Sequence, residues 1–307
     1  MILITGAGGM LGQYLLDEFK GEKVMTLGLR KESDFVADLT KEEGWDTLFN
    51  SLSEPFTTVV HAAGSEEEEN AMALNLEGTS RLLRALESKV PENLVFISSY
   101  RVYSRDAGEN VSEEANTWAS DNVGRSKARA EELVRDWCVK RDVNLSIIRP
   151  ARMFGNGVKG ETLSLFNDAL RGKYIHVRGN DARVSLVCAL DVAKAVKAVH
   201  TLGGLYNAAD PNPVRFIDMV EALTANAGGK KRMTHLPAPW AEWLWRLGRW
   251  IPSINRNLHP SVVEARMKSL TLDGSLLAQK AGINYHDTIS VIERSDPSYP
   301  YKEIQLK

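Results

Sequence analysis

The chain opens on a short apolar run, Met1-Ile2-Leu3-Ile4, that passes straight into Thr5-Gly6-Ala7-Gly8-Gly9-Met10-Leu11-Gly12. Glycine at every third position, directly after a buried parallel strand, lets the backbone turn tightly and come close to a pyrophosphate. It also presents the first free N–H groups of a helix to that ligand. Glycines cap ordinary turns too, so the neighbours decide. Leu11, Tyr14, Leu15 and Phe19 have the spacing of one buried helical face, and Lys23 to Leu29 reads as a second strand. Together they predict a βαβ unit of about thirty residues. Only the initiator methionine precedes the first strand, so neither a leader nor an earlier domain is expected.

A length of 307 residues with 43% hydrophobic content allows one substantial core or two unequal domains. Disorder and membrane spanning are not expected. Lysine plus arginine (38) nearly balances aspartate plus glutamate (40), so no global field steers the chain to nucleic acid or to an anionic membrane. The expected partner is a small molecule, with a homodimer as a further possibility. Cys138 and Cys188 are the only cysteines, which suits buried free thiols in a reducing cytoplasm better than a disulfide or metal framework.

Apolar β-rich runs at 1–4, 23–29, 57–62, 93–98 and 143–148 alternate with helical patterns near 10–20, 70–88 and 120–141. This predicts an α/β chain with a Rossmann-type, doubly wound parallel sheet. After Pro150 the pattern loosens into a helix at 161–171, a strand at 183–188, a helix at 190–200, a strand at 204–208 and then mostly helices. The expected division is a dinucleotide-binding domain over 1–154 plus about 190–210. A smaller, mostly helical substrate domain would take 155–189 and 211–295, with a tail at 296–307. The run Glu66-Glu67-Glu68-Glu69 reads as a solvated helix start rather than a metal site.

Several further strings fall in a telling order: Val59-Val60-His61-Ala62-Ala63-Gly64, Asn75-Leu76-Glu77-Gly78-Thr79, Phe96-Ile97-Ser98-Ser99-Tyr100-Arg101-Val102-Tyr103, Arg149-Pro150 before Phe154-Gly155, Asp191-Val192-Ala193 and Tyr206-Asn207. With the glycine loop they resemble the extended short-chain dehydrogenase/reductase family, which includes nucleotide-sugar epimerases, dehydratases and reductases. The resemblance runs along nearly the whole chain. It implies that Gly6, Gly9 and Gly12 surround the pyrophosphate of NADP or NAD and that the N–H groups of Met10 and Leu11 reach its oxygens. It also implies that Asp38 and Leu39 contact adenine, that small Ala62, Ala63 and Gly64 line the cofactor cleft, and that Pro150 closes it. The second strand ends Leu27-Gly28-Leu29-Arg30-Lys31, with no acidic residue to bond ribose hydroxyls. A guanidinium at Arg30 can instead pair with a 2′-phosphate, which favours NADP, unless this is merely an exposed basic loop.

In that family a Ser, a Tyr and a Lys four residues after the Tyr carry the proton work. Ser99 matches the serine and Lys127 the lysine, but Val123 stands where the tyrosine belongs. Valine neither donates nor accepts a proton, and no tyrosine lies between Tyr103 and Tyr174. The gap is open to a lost activity, to a substitution made to stop turnover, or to a donor from elsewhere. Such a donor would be Tyr100, a water held by Lys127, or Tyr174 or His176 from the second domain. Tyr103 reads as a packed strand-end aromatic. Two functional classes therefore stand: an oxidoreductase or epimerase acting on a small carbonyl or sugar-type substrate, and a catalytically inactive cofactor-binding protein. Arg183 lies near the family's pyrophosphate-contacting arginine, one residue out of register with Asp191.

Trp240, Trp243, Trp245 and Trp250 fall within eleven residues, interleaved with Arg246 and Arg249. The spacing predicts an amphipathic helix burying its aromatics in the core, or else a substrate wall or a surface for a partner or membrane.

Overall fold

The computed structural model describes residues 1–42, 44–45, 47–228, 233–240, 243 and 260–295. Seven parallel strands form its main sheet: β1 (Ile2–Thr5), β2 (Val24–Gly28), β3 (Phe35–Val36), β4 (Thr58–His61), β5 (Asn93–Ile97), β6 (Asn144–Pro150) and β7 (Gly204–Ala208). Their spatial order is β7-β6-β5-β4-β1-β2-β3. Order reverses between β1 and β4, and the crevice beyond the carboxyl ends of those two strands is where a doubly wound sheet binds ligands.

Side chains alternate across a strand, and in this sheet both faces are buried, so nearly every strand residue is apolar. Ile2, Ile4, Val60, Val95, Ile97 and Ile148 pack on one face with Leu11 and Leu15 of α1 (Met10–Glu18). Leu3, Val59, Leu94, Phe96 and Ile147 face the other way, against Leu82 and Leu86 of α2 (Gly78–Leu86) and Ala130 and Val134 of α3 (Asn122–Arg141). His61 is one of the buried polar residues of these strands, with Thr5, Asn93, Ser146, Arg149 and Asn207. It is enclosed between the hydroxyls of Thr5 (2.7 Å) and Thr79 (2.9 Å), and burial pushes its pKa down to about 3, so it serves as a neutral tie between β1, β4 and α2.

A separate core joins α4 (Gly160–Leu170), α6 (Phe216–Asn226) and the helix Thr288–Arg294 through Phe166, Met219, Val220, Leu223 and Ile292. Short strands accompany these helices. The single strand expected at 183–188 divides into Arg183–Val184 and Leu186–Cys188, which pair in different small sheets. Asp191, on α5 (Ala189–Val199), accepts hydrogen bonds from His286 Nδ1 (2.6 Å) and the His286 amide (2.8 Å), fastening the C-terminal segment to the main sheet's helices. Cys138 and Cys188 are both buried and are not joined in a disulfide, and burial drives the Cys138 thiol up to about 12.

The tryptophan segment departs from burial. Trp240 and Trp243 are 59% and 54% exposed, so neither packs into a core. Trp245, Trp250, Arg246 and Arg249 lie outside the described residues, as does the tail at 296–307.

Candidate active site

The loop from β1 to α1 is shaped by two close approaches. Gly6 adopts φ +71°, and a Cβ there would sit 2.6 Å from the Ala63 backbone nitrogen; a Cβ on Gly12 would collide with the Gly6 carbonyl. These two glycines pack the loop against the residues after β4 and the helix against the loop. Gly9 differs, since a Cβ there would meet only the Gly6 oxygen, at 3.2 Å, and otherwise point into open space. Gly9 caps α1 with no side-chain hydrogen bond, and the first N–H groups of a helix have no intrahelical partner. The cradle therefore fits a diphosphate at the helix N-terminus.

Arg30 lies over this loop: its Nη2 donates to Gly8 O (3.1 Å), and a Cβ on Gly8 would come within 2.8 Å of its Nε. Beyond β3, the Asp38 carboxylate accepts from the hydroxyl (2.7 Å) and amide (2.9 Å) of Thr40, which hold its pKa below the ordinary value. Leu39 is buried, and its carbonyl accepts from Arg81 (2.9 Å).

A second cavity, of about 110 Å³, opens beside the carboxyl ends of β4, β5 and β6. Ala62, Gly64, Ser99, Lys127 and Pro150 all line it, and so does Val123. Lys127 reaches back from α3 to donate to Ile97 O (2.8 Å), with its ammonium 5.0 Å from the Phe96 ring centroid. Burial lowers its pKa to about 8, against the opposing pull of Glu66 and Glu131. Ser99 caps the short turn Tyr100–Val102, its hydroxyl accepting from the Arg101 amide (3.2 Å).

Glycine at 64 is required by its neighbours: a Cβ there would stand 2.9 Å from Lys127 Nζ and 3.0 Å from Asn75 Oδ1. Asn75 sits in a π-helical stretch, Met72–Glu77, that runs into α2. It accepts from the Ser65 amide (2.8 Å) and donates to Ser65 O (2.9 Å) and to the Ser126 hydroxyl (3.0 Å). The widened helical turn thus clamps the loop after β4 onto α3, one residue before Lys127.

The outer wall is charged. Arg152 pairs with Glu161 (2.7 Å) and lies over the Tyr100 ring (5.1 Å from Cζ to centroid), while Tyr100 donates to Glu161 (3.4 Å). Arg152 holds the Glu161 carboxyl down to about 2, and burial raises the Tyr100 phenol. Glu66 keeps an exposed edge at the cavity mouth, yet the protein packed around its carboxyl raises its pKa. Glu68 accepts from Arg101 (2.7 Å) and from the Asn122 amide (2.8 Å), fastening the N-terminus of α3, while all four glutamates of the run stay exposed just ahead of a helical stretch. Among the described residues no cluster of three potential metal ligands occurs.

Several residues singled out in the sequence lie elsewhere. Tyr174 and His176 are buried with the second core, Tyr174 beneath the Arg266 guanidinium, so they are not part of the cavity wall. Arg183 is exposed and donates to Pro213 O (3.3 Å). Tyr103 is buried as expected, its hydroxyl donating to Asn207 Oδ1 (2.8 Å) and accepting from Arg149 (2.8 Å). Arg149 also pairs with Glu131 (2.6 Å), which accepts from Ser98 (2.5 Å). These motif residues form a buried polar chain under the cavity. Conversely, Glu66, Arg152 and Glu161 line the cavity although no motif marked them.

Residues 2–209 match the model of the NAD dependent epimerase/dehydratase family. The chain belongs to that family. Within it, the N-acetyl-alpha-D-glucosaminyl-diphospho-ditrans,octacis-undecaprenol 4-epimerase of Escherichia coli O157:H7 is 26% identical over 251 residues, which are 78% of this chain and 76% of that protein. The UDP-glucose 4-epimerase of Vibrio cholerae is 28% identical over 188 residues, 56% of this chain and 57% of its own. Among solved structures, RMD from Pseudomonas aeruginosa complexed with NADPH superposes with a TM-score of 0.71 at 18% identity, covering 98% of this chain and 100% of its own. The UDP-glucuronic acid 4-epimerase of Bacillus cereus in complex with NAD gives 0.73 at 15%, covering 97% and 98%. At these identities the two structures establish a shared fold.

Proposed function

We propose that this member of the family binds NADP or NAD along the β1–α1 loop and acts as an oxidoreductase or epimerase on a diphosphate-linked sugar. In this reading the proton is handled by groups other than a tyrosine at position 123. The observation that carries it is the convergence of Ser99 and Lys127 in one cavity at the strand carboxyl ends, next to the glycine loop. The sugar-diphosphate class is supported by the substrates named for the Escherichia coli and Vibrio cholerae relatives.

Gly9, Met10 and Leu11 would hold the diphosphate of the cofactor, with Arg30 against a 2′-phosphate. Asp38 and Leu39 would border the adenine, and Ala62, Ala63, Gly64 and Pro150 the nicotinamide half. Bound there, the nicotinamide supplies hydride exchange at a carbinol carbon. Ser99 donates a hydrogen bond to the sugar oxygen. Lys127, with its pKa near 8, is part neutral at physiological pH and takes or returns the hydroxyl proton, directly or through a water in the space that valine leaves. The division into a dinucleotide region over 1–154 with 190–210 and a substrate region over 155–189 and 211–295 belongs to the same proposal.

Val123 favours one alternative, a cofactor-binding protein without turnover. The test is to incubate the protein with NADP+ or NAD+ and UDP-glucose, UDP-N-acetylglucosamine or an undecaprenyl-diphosphate-linked N-acetylglucosamine. Reduced cofactor is followed by absorbance and the sugar configuration by NMR. Inverted sugar or reduced cofactor supports the enzyme; cofactor binding with neither product supports the alternative.

A further inference from the structure

We propose that Glu66 is the relay through which the site exchanges its proton with water, passing it between Lys127 and the cavity mouth. This rests on the reaction proposed above and adds the proton's route out. A carbinol that loses hydride to the oxidised cofactor also loses its hydroxyl proton as the carbonyl forms, so each net oxidation must deliver one proton to solvent. In the cavity that proton goes to the neutral amine of Lys127, which is buried and bonded to Ile97 O. The ammonium then gives it to the Glu66 carboxylate, and the carboxylic acid gives it to water.

Position selects Glu66 for this work. Outside the cavity lies an open cleft of about 780 Å³, and among the described residues Glu66, Arg101 and Glu161 border both spaces. Arg101 keeps its proton at any working pH and is paired with Glu68 (2.7 Å) and Asp121 (2.9 Å). Glu161 is paired with Arg152 (2.7 Å), which keeps it ionised down to about pH 2. Glu66 remains. Its carboxylate makes no hydrogen bond or ion pair among the described residues. It has room because residue 160 at the start of α4 is glycine: a Cβ there would come within 2.5 Å of Glu66 Oε2. On the inner side, Gly64 packs against the lysine, and the cavity, at about 110 Å³, holds enough space for water to bridge Lys127 and Glu66.

The charges around it tune the transfer. Glu66 is faced by Glu67 and Glu68 on its own loop, Tyr100 and Arg101 of the turn after β5, Lys127 of α3, Arg152 beyond β6 and Glu161 of α4. Burial outweighs the pull of Arg101, Arg152 and Lys127 and raises the Glu66 carboxyl, while it brings the Lys127 ammonium down to about 8. A free carboxylic acid and a free ammonium differ in acidity by about six decades. Desolvation disfavours the charged form of each and narrows that gap from both ends, so the proton passes between them at a smaller cost.

The test has two arms, both on the full chain. The first needs no turnover: carbon NMR of protein labelled at the glutamate carboxyl and lysine ε carbons follows both groups through a pH titration, with Glu66→Gln and Lys127→Met assigning the signals. Glu66 should titrate above an ordinary glutamate. Glu66→Gln should lower the Lys127 pKa and Lys127→Met should raise that of Glu66, because each charge favours the other. The second arm follows cofactor reduction with the sugar-diphosphate panel. Glu66→Gln should lower kcat by about a hundredfold with KM little changed, Glu66→Asp should recover part of the loss, and added formate or imidazole should restore turnover to the glutamine variant. Thermal melting checks that each variant is folded. A Glu66 that titrates as an ordinary glutamate, with Lys127 unmoved by Glu66→Gln, overturns the proposal, as does a Glu66→Gln variant with wild-type kcat. Wild type without turnover counts against the reaction, and the titration then decides the relay by itself: reciprocal shifts support it and their absence overturns it.

Discussion

Lys127 is 7% exposed and yet carries an ammonium, held by the Ile97 carbonyl and the Phe96 ring. Its folded pKa, about 8, lies below the ordinary 10.5, so folding disfavours its charged form. Below pH 8 both folded and unfolded chains hold the proton and the full cost of burial is present. Between 8 and 10.5 only the unfolded chain holds it, and stability rises with pH. Lys127→Met should therefore be more stable than wild type at pH 7 by roughly 2 kcal/mol, after allowing for the lost carbonyl bond. Urea titrations should show that gap closing towards pH 10.5; a gap that stays constant or widens contradicts the assignment. At Arg30 the expected effect is on ligand affinity. NADPH should bind more tightly than NADH by about one to two decades, and Arg30→Ala should erase most of the difference. Equal calorimetric titrations of the two cofactors by wild type would contradict it. The sequence singled out both residues, one by motif and one by the missing acidic residue after β2, and they lie at the cavity and over the glycine loop respectively. Glu66, Arg152 and Glu161 were not singled out, because they come from a loop, a short strand and the first turn of α4, and no local pattern shows that these converge on one wall.

The element that repays closest attention is the turn from β1 into α1, where three glycines with the same sequence signature do different work. Gly6 and Gly12 are needed for packing, whereas Gly9 borders open space. Gly9→Val should leave the protein folded while abolishing stabilisation by NADP+, since the branched side chain fills the diphosphate cradle. Thermal shift with and without cofactor checks this, and an undiminished shift in the variant would move the phosphate site elsewhere. Six of the seven parallel strands were readable because burial on both faces makes each a short apolar run between helical periods, whereas the two-residue β3 is too short to show one. The motif strings after β4, β5 and β6 were readable as well, but their roles were not. Tyr103, Arg149 and Asn207 bond to one another under the cavity, a relation between residues up to 104 apart that no local pattern encodes.

In the whole molecule, the cavity lies where the main sheet meets the α4 region, with Ser99, Lys127 and Pro150 from one side and Arg152, Glu161 and Thr162 continuing into the other. The tryptophan segment shows the limit of reading such an arrangement from sequence. Amphipathic spacing says that a helix has an apolar face but not whether the core covers it, and here both described tryptophans are exposed. The same limit applies to position 123, where the helical register with Lys127 was legible and the cavity around it was not. Val123 is 1% exposed and lines the cavity with Ser99 and Lys127. The most direct measurement is turnover of the sugar-diphosphate panel by wild type, Val123→Tyr and Val123→Tyr/Lys127→Ala. A phenol at 123 would stand one turn from the ammonium, which lowers its pKa towards the working pH. The account predicts a gain of about two decades in Val123→Tyr that disappears in the double variant. Unchanged turnover in Val123→Tyr, with Lys127→Ala harmless in the wild-type background, would contradict it.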